Sequence, residues 1–128
     1  MKTIKQAVVA ALLAGSVACA HADIKIGVTL CLTGPAASLG IPVKNGLALL
    51  PTEIGGEKLQ WIILDDASDP TSASKNARKL TGEEKVDLLV GSNITPNTLA
   101  VLEVAAESQT PAVAIAGASM LVTPMDAK

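Results

Sequence analysis

Three aspartates stand close together in the middle of the chain, at Asp65, Asp66 and Asp69. They follow an apolar run, so the end of a strand would present their carboxylates together. Clustered carboxylates can bind a hard divalent cation or accept a phosphoryl group, which suggests an enzyme of flavodoxin-like fold as one hypothesis. The simpler alternative is that Asp69 caps a helix starting at Pro70, while Asp65 and Asp66 form a solvated strand end.

A second segment that could bind a ligand is the run GSNITP at 91–96. Its glycine allows a close approach to the backbone, and Thr95 can cap a helix. The free N–H groups in the first turn of that helix would carry a partial positive charge, against which a carboxylate fits. A capped helix without a ligand explains Thr95 and Pro96 equally well, so the segment by itself leaves both interpretations open.

Other chemistries lack the residues that they need. After residue 22 the sequence contains no histidine and one cysteine, Cys31, which excludes an intramolecular disulfide and argues against a zinc site of the usual nitrogen and sulfur type. We interpret Cys31 as a small, half-buried hydrophobe at a strand end, because no histidine is present to activate it as a nucleophile. The glycine-rich phosphate loop and the Gly-x-Gly-x-x-Gly motif are both missing, so nucleotide binding has no support.

Composition excludes two further classes of protein. With 10 basic and 12 acidic side chains, the net charge of -2 argues against a nucleic-acid binder that depends on counterion release. The single aromatic residue, Trp61, is too few for a surface that stacks bases. The composition is 49% hydrophobic and 17% charged, which predicts a folded rather than a disordered chain.

The first 22 residues have the layout of a secretory signal peptide. Two lysines precede an apolar run over 7–20, and the small-residue triplet AHA at 20–22 provides a cleavage site. We therefore predict a cleavable signal peptide at 1–22, a mature chain at 23–128 and a periplasmic location. Lipidation at Cys19 and a permanent membrane anchor are the alternatives, and we rank them below cleavage in that order.

Apolar runs and helical periodicities alternate along the mature chain. Strands are predicted at 24–30, 58–64, 86–90 and 112–115, and helices at 38–54 with an end or kink near Pro51, at 70–81 and from Thr95. The predicted buried faces of the second and third helices are Pro70, Ala73, Ala77 and Leu80, and Leu99, Leu102, Ala105 and Ala106. This βαβαβαβ order predicts an α/β fold: a doubly wound parallel sheet of about four strands and three helices, with helices on both faces. The last strand would have an uncovered edge.

Several segments together resemble a known family. They are IKIGV at 24–28, LTGPAASLG at 32–40, DDASDP at 65–70, NARKL at 76–80, VDLLVG at 86–91 and GAS at 117–119. In this order they look like the start of a periplasmic leucine/isoleucine/valine-binding-type protein, a type I solute receptor of ABC transporters for branched-chain amino acids. The resemblance extends over essentially the whole mature chain.

The resemblance implies a binding protein, not an enzyme, whose two lobes close on an amino acid or a related small polar solute such as an amide, urea or a small carboxylate. The protein would then dock on a transporter permease in the membrane, and no cofactor or metal is implied. By position, Leu39 lines the cleft, and Asn93 and Thr95 take the ligand carboxylate through backbone and hydroxyl groups. Ala118 and Ser119 contact the polar head of the ligand. The family often has an aromatic side chain where this chain has Leu39.

Length separates this chain from the family pattern. The sequence ends where the first lobe of the family would continue, so we expect 23–128 to form a partial N-terminal lobe. Without the second lobe, we expect this part to bind no ligand with useful affinity. A ligand-sensing domain of the same lineage in a regulator is a further alternative, and neighbouring permease and ATPase genes would favour transport over it.

Overall fold

The structure is a computed structural model that describes residues 23–118 and Leu121. Its elements in chain order are β1 (Ile24–Leu30), α1 (Ala37–Leu47), β2 (Glu53–Ile54), β3 (Glu57–Asp65), α2 (Pro70–Gly82), β4 (Leu88–Gly91), α3 (Thr95–Ser108) and β5 (Ala112–Ala114). The predicted signal peptide at 1–22 and the candidate ligand residue Ser119 lie outside the described residues. Within the described part, no helix combines the length and hydropathy needed to cross a membrane.

The five strands form one sheet in the order β2-β3-β1-β4-β5. β1 pairs in parallel with β3 on one side and with β4 on the other, and β5 continues in parallel beyond β4. The chain passes from β1 to β3 and then crosses back over β1 to reach β4. Strand order therefore reverses between β1 and β4, which confirms the predicted doubly wound parallel sheet.

The sheet has one strand that the sequence analysis missed. β2 pairs antiparallel with the start of β3, with Glu53 opposite Lys58 and Ile54 opposite Glu57. The two residues between the strands, Gly55 and Gly56, both have positive φ angles, of 63° and 88°. Such angles at both positions are typical of the two-residue turn of a β-hairpin. The predicted helix over 38–54 is therefore wrong in its last part, since α1 ends at Leu47.

Helices cover both faces of the sheet, as predicted. On one face, Val43 and Leu47 of α1 pack against the β1 side chains Ile26, Val28 and Leu30. On the other face, α2 and α3 lie over the sheet around a second buried cluster, formed by Ala73, Ala77, Leu80, Val86, Leu89, Val101, Val104 and Ala105. Burial of these aliphatic side chains is the main force that holds the layers together.

The buried helix faces differ in part from the predicted ones. In α2, Ala73, Ala77 and Leu80 are buried as predicted, whereas Pro70 is exposed. The buried residues of α3 are Asn97, Thr98, Val101, Val104 and Ala105, so the predicted face of Leu99, Leu102, Ala105 and Ala106 is correct only at Ala105. A search for apolar spacing misses this face because two of its members are polar.

β5 forms one edge of the sheet within the described part of the chain. Its Val113 pairs with Val90 and lies on the same face of the sheet as α1, where the Val113 side chain is 48% exposed. Ile115, just beyond the strand, is 38% exposed. The uncovered edge predicted for the last strand is therefore present in the described residues, together with exposed apolar side chains beside it.

Candidate functional site

The reversal of strand order opens a crevice beyond the carboxyl ends of β1 and β4. The chain leaves β1 toward α1 and leaves β4 toward α3, which lie on opposite faces of the sheet. Open α/β sheets bind their ligands at such a point. Three of the predicted ligand residues, Leu39, Asn93 and Thr95, lie on the two segments that border this crevice.

Asp65 holds the two loops beside the crevice in shape. Its carboxylate accepts hydrogen bonds from the N–H groups of Leu32 (2.9 Å), Thr33 (3.1 Å) and Ala67 (2.8 Å). The Thr33 hydroxyl donates a further bond of 2.6 Å. Desolvation raises the pKa of Asp65, but these hydrogen bonds to the charged form outweigh it, so the pKa lies below its ordinary value. Asp65 is thus a structural bridge between the loop after β1 and the loop after β3.

The other two aspartates also have structural roles. Asp66 is fully buried and accepts hydrogen bonds from the Ser92 hydroxyl (2.6 Å), the Ser68 N–H (3.0 Å) and the Thr29 hydroxyl (3.3 Å). Asp69 caps α2, as predicted, by accepting from the Ser72 N–H at 2.7 Å. That bond and the Ser72 hydroxyl hold the pKa of Asp69 below its ordinary value.

This arrangement bears on the enzyme hypothesis. The carboxylates of Asp65, Asp66 and Asp69 all accept hydrogen bonds from protein donors, so they are held in place by the fold. Among residues 23–118, no group of three or more His, Cys, Asp and Glu side chains is arranged to hold a metal ion. The geometry therefore gives no support to metal or phosphoryl chemistry at these residues.

Asn93 joins the two sides of the crevice. Its side-chain oxygen accepts from the Cys31 N–H at 3.3 Å, and its side-chain nitrogen lies 3.5 Å from the Leu39 carbonyl oxygen. Both contacts are long for hydrogen bonds, and they place the loop after β4 against the start of α1. Leu39 itself is 54% exposed. The structure thus brings Asn93 and Leu39 together.

Helix α1 approaches the end of β1 very closely at Gly40. A Cβ atom built on Gly40 would lie 2.1 Å from the Cys31 carbonyl oxygen, so only glycine fits without movement of the helix. Cys31 is fully buried, and this burial raises the pKa of its thiol. These features agree with the interpretation of Cys31 as a packing residue, although it is more deeply buried than predicted.

Thr95 is the first residue of α3 rather than its cap. Ile94 occupies the cap position and makes no side-chain capping bond, so the predicted capping role of Thr95 is wrong. The first intrahelical bond in this turn runs from the Thr98 N–H to the Ile94 carbonyl. The N–H groups before Thr98 have no partner within the helix, and the positive end of the helix dipole lies beside the crevice. This end of α3 can accept an anionic group.

The last two predicted ligand residues belong to the segment after β5. Ala114 pairs with Gly91, so this segment leaves the sheet at the same edge as the loop after β4. Ala118 is half-buried, and Ser119 is outside the described residues. The structure thus places Ala118 on a segment that starts beside the crevice.

A set of buried polar residues below the crevice could not be predicted from the sequence. Ser92, Asn97 and Thr98 are fully buried, and the Thr98 hydroxyl donates to the Ser92 carbonyl oxygen at 2.9 Å. Their partners include Asp66 and Cys31, which are far away in the sequence. The one local signal is the polar pair at 97 and 98, near the start of α3.

Comparison with known proteins agrees with this geometry. A family model for periplasmic binding proteins matches residues 23–126. The chain is 35% identical over 114 residues to the Leu/Ile/Val-binding protein BraC3 of Rhizobium johnstonii, with 84% of this chain and 30% of that protein covered. A crystal structure of an extracellular ligand-binding receptor from Rhodopseudomonas palustris HaA2 has a TM-score of 0.79 and 54% identity, covering 82% of this chain and 29% of that one.

A third similar protein was solved with a ligand. It is the solute binding protein of an ABC transporter from Rhodopseudomonas palustris BisB5, in complex with 3,4-dihydroxybenzoic acid, with a TM-score of 0.73, 30% identity and coverage of 77% of this chain and 29% of that one. The present chain thus spans about 30% of the length of these relatives. By the family match and these similarities, the chain belongs to the periplasmic binding protein family, as a type I, Leu/Ile/Val-binding-type member.

Proposed function

We propose that this chain contributes the first part of the extracytoplasmic substrate-binding component of an ABC transporter. Its ligand would be a branched-chain amino acid or a related small polar solute, such as an amide, urea or a small carboxylate. A signal peptide at 1–22 would direct it to the periplasm, and the loaded receptor would dock on a permease in the membrane. The relatives, whose names and titles describe solute-binding proteins, support this class.

The N-terminus of α3 at the reversal of strand order is the observation that carries the proposal. It offers N–H groups and a partial positive charge to the ligand carboxylate, next to the backbone of Asn93 and the hydroxyl of Thr95. The exposed Leu39 provides an apolar contact on the other side of the crevice. Ala118 and Ser119 would contact the polar head of the ligand from the segment after β5.

The ligand class follows from what these groups can recognise. Leu39, Asn93, Thr95, Ala118 and Ser119 are all uncharged, so the negative charge of a ligand would be met here by backbone dipoles. The carboxylate is the part that leucine and 3,4-dihydroxybenzoic acid share. Groups from the rest of the protein would then select the remainder of the ligand.

Isothermal titration calorimetry of the intact protein, meaning the full-length receptor with both lobes, tests the proposal. The panel would contain leucine, isoleucine, valine, acetamide, urea and 3,4-dihydroxybenzoate, and we expect binding heat with at least one of them. Removing the hydroxyl with Thr95→Val should weaken the affinity for that ligand by a factor of about 2 to 12, the value of one net hydrogen bond. The matched control is Thr52→Val, in the exposed turn before β2, which should bind normally.

Two outcomes would contradict the proposal. Absence of heat with every member of the panel would count against a receptor for solutes of this class. Equal loss of affinity in Thr95→Val and Thr52→Val would show that the hydroxyl at 95 does not contact the ligand. Docking to a permease is tested separately, by the stimulation of ATPase activity in a transporter reconstituted from the neighbouring genes.

A further inference from the structure

A buried carboxylate lies directly beneath the loop that carries the proposed ligand contacts. Asp66 has no exposed surface, and its three observed partners are the neutral donors Ser92, Ser68 and Thr29. The bond from the Ser92 hydroxyl, at 2.6 Å, is the shortest of the three, as expected for a hydroxyl that donates to a carboxylate. The strongest attachment of Asp66 is therefore to the loop after β4.

Ser92 is held from both of its polar ends. Its hydroxyl donates to Asp66, and its carbonyl oxygen accepts from the Thr98 hydroxyl at 2.9 Å in the first turn of α3. Because the Ser92 proton points to Asp66, the Ser92 oxygen can accept from the Cys31 thiol, 3.5 Å away. Ser92 thus connects the loop after β1, the loop after β3 and α3. The next residue along the chain is Asn93.

We propose that Asp66 is a positioning residue for ligand binding. Acting through the Ser92 hydroxyl, it holds the loop 92–94 and the N-terminus of α3 in the geometry that accepts the ligand. The inference rests on the proposed function, because it assigns the support of that same site. Asp66 is too deeply buried to contact a ligand itself, so its effect on affinity passes through Ser92.

The expected effect is a loss of affinity of about tenfold. A hydrogen bond to a charged group shifts an equilibrium by roughly this factor or more. If the loop without this bond occupies the binding geometry about a tenth of the time, the apparent Kd rises about tenfold. Ser92→Ala removes this bond, and Asp66→Asn weakens it by replacing the charged acceptor with a neutral amide. The double variant should therefore bind no more weakly than Ser92→Ala alone.

The test is calorimetry of the intact protein with leucine and 3,4-dihydroxybenzoate as probes. Unaltered protein, Asp66→Asn, Ser92→Ala and the double variant are compared with a matched control, Thr29→Val. This control removes another hydroxyl donor from the same carboxylate with little change of shape, and Thr29 lies on β1, outside the ligand loop. We expect Thr29→Val to lower the melting temperature and to keep the affinity.

Each contrary result has a distinct meaning. Three results would each overturn the positioning role while leaving the proposed function intact. They are normal affinity in Ser92→Ala, a loss of affinity in Thr29→Val equal to that in Ser92→Ala, and additive losses in the double variant. If the unaltered protein binds neither probe but binds another member of the panel, that solute replaces them. If it binds none, the proposed function fails. Amide hydrogen exchange at Asn93 and Thr95 then tests the positioning role. We expect exchange to be about tenfold faster in Ser92→Ala than in the unaltered protein, and unchanged rates would overturn the positioning role.

Discussion

Replacement of Gly40 by alanine should disturb the junction between α1 and β1 more than any other single methyl group added to that helix. The new Cβ would lie 2.1 Å from the Cys31 carbonyl oxygen and 2.7 Å from its carbonyl carbon. Both atoms belong to the backbone of the residue that directly follows the central strand, and they cannot rotate away as a side chain could. Helix α1 must therefore move outward by roughly 1 Å or more to reach ordinary van der Waals separation.

The size of the effect follows from two opposing contributions. Overpacking of a close contact costs about 1 to 3 kcal/mol, and contact with rigid backbone places this site near the upper end. Alanine recovers about 1 kcal/mol through its higher helix propensity. The net loss in the free energy of unfolding is then about 2 kcal/mol, which lowers the urea midpoint by roughly 1 M.

The measurement is urea unfolding of the protein followed by circular dichroism. Gly46→Ala is the matched control, because Gly46 lies in the same helix and its Cβ would meet no atom within 4 Å apart from the backbone of its own helix. That control should stabilise the protein by about 0.5 to 1 kcal/mol. Equal midpoints for Gly40→Ala and Gly46→Ala would refute the reasoning, since they would show that α1 and β1 do not meet as closely as described.

Four further predictions concern other parts of the chain. The pKa of Asp65 is lower in the folded than in the unfolded state, so its contribution to stability is complete above the ordinary value of 3.8 and is lost as the pH falls through the folded pKa. Asp65→Asn should therefore make the urea midpoint depend less on pH between pH 5 and pH 2. The buried Cys31 thiol should react with Ellman's reagent only at the rate at which the protein opens, and fast reaction in native buffer would contradict its burial. The 2.8 Å ion pair between Arg78 and Glu107 has side chains 58% and 51% exposed, so Arg78→Ala should change stability by less than about 1 kcal/mol in urea titrations. Residues 23–128 alone should self-associate in sedimentation equilibrium, and Val113→Lys should reduce this association.

Elements with a strong local pattern could be predicted from the sequence. β1 was predicted at its observed bounds because its run of aliphatic residues ends in a Thr-Gly-Pro turn. The start of α2 was predicted correctly because an aspartate cap followed by proline is a local signal. The parallel sheet followed from the alternation of strands and helices, since consecutive parallel strands need a helical crossover.

Features that depend on distant partners could not be predicted in the same way. The burial of Asn97 and Thr98 depends on a hydrogen-bonding network that includes Ser92 and Cys31. The spacing of apolar residues therefore predicts the wrong buried face for α3. The roles of Asp66 and Asn93 depend on residues 26 and 62 positions away. β2 is only two residues long, too short for any periodicity, although the Gly-Gly pair before β3 is a hairpin signal.

The bonds of Asp65 have a consequence for how this loop can vary between related proteins. Three of its four donors are main-chain N–H groups, those of Leu32, Thr33 and Ala67. Every amino acid except proline supplies the same donor. Side chains at these positions can therefore change while the carboxylate keeps the loop in the same shape. A binding crevice supported in this way can acquire a new specificity by single substitutions without first losing its architecture.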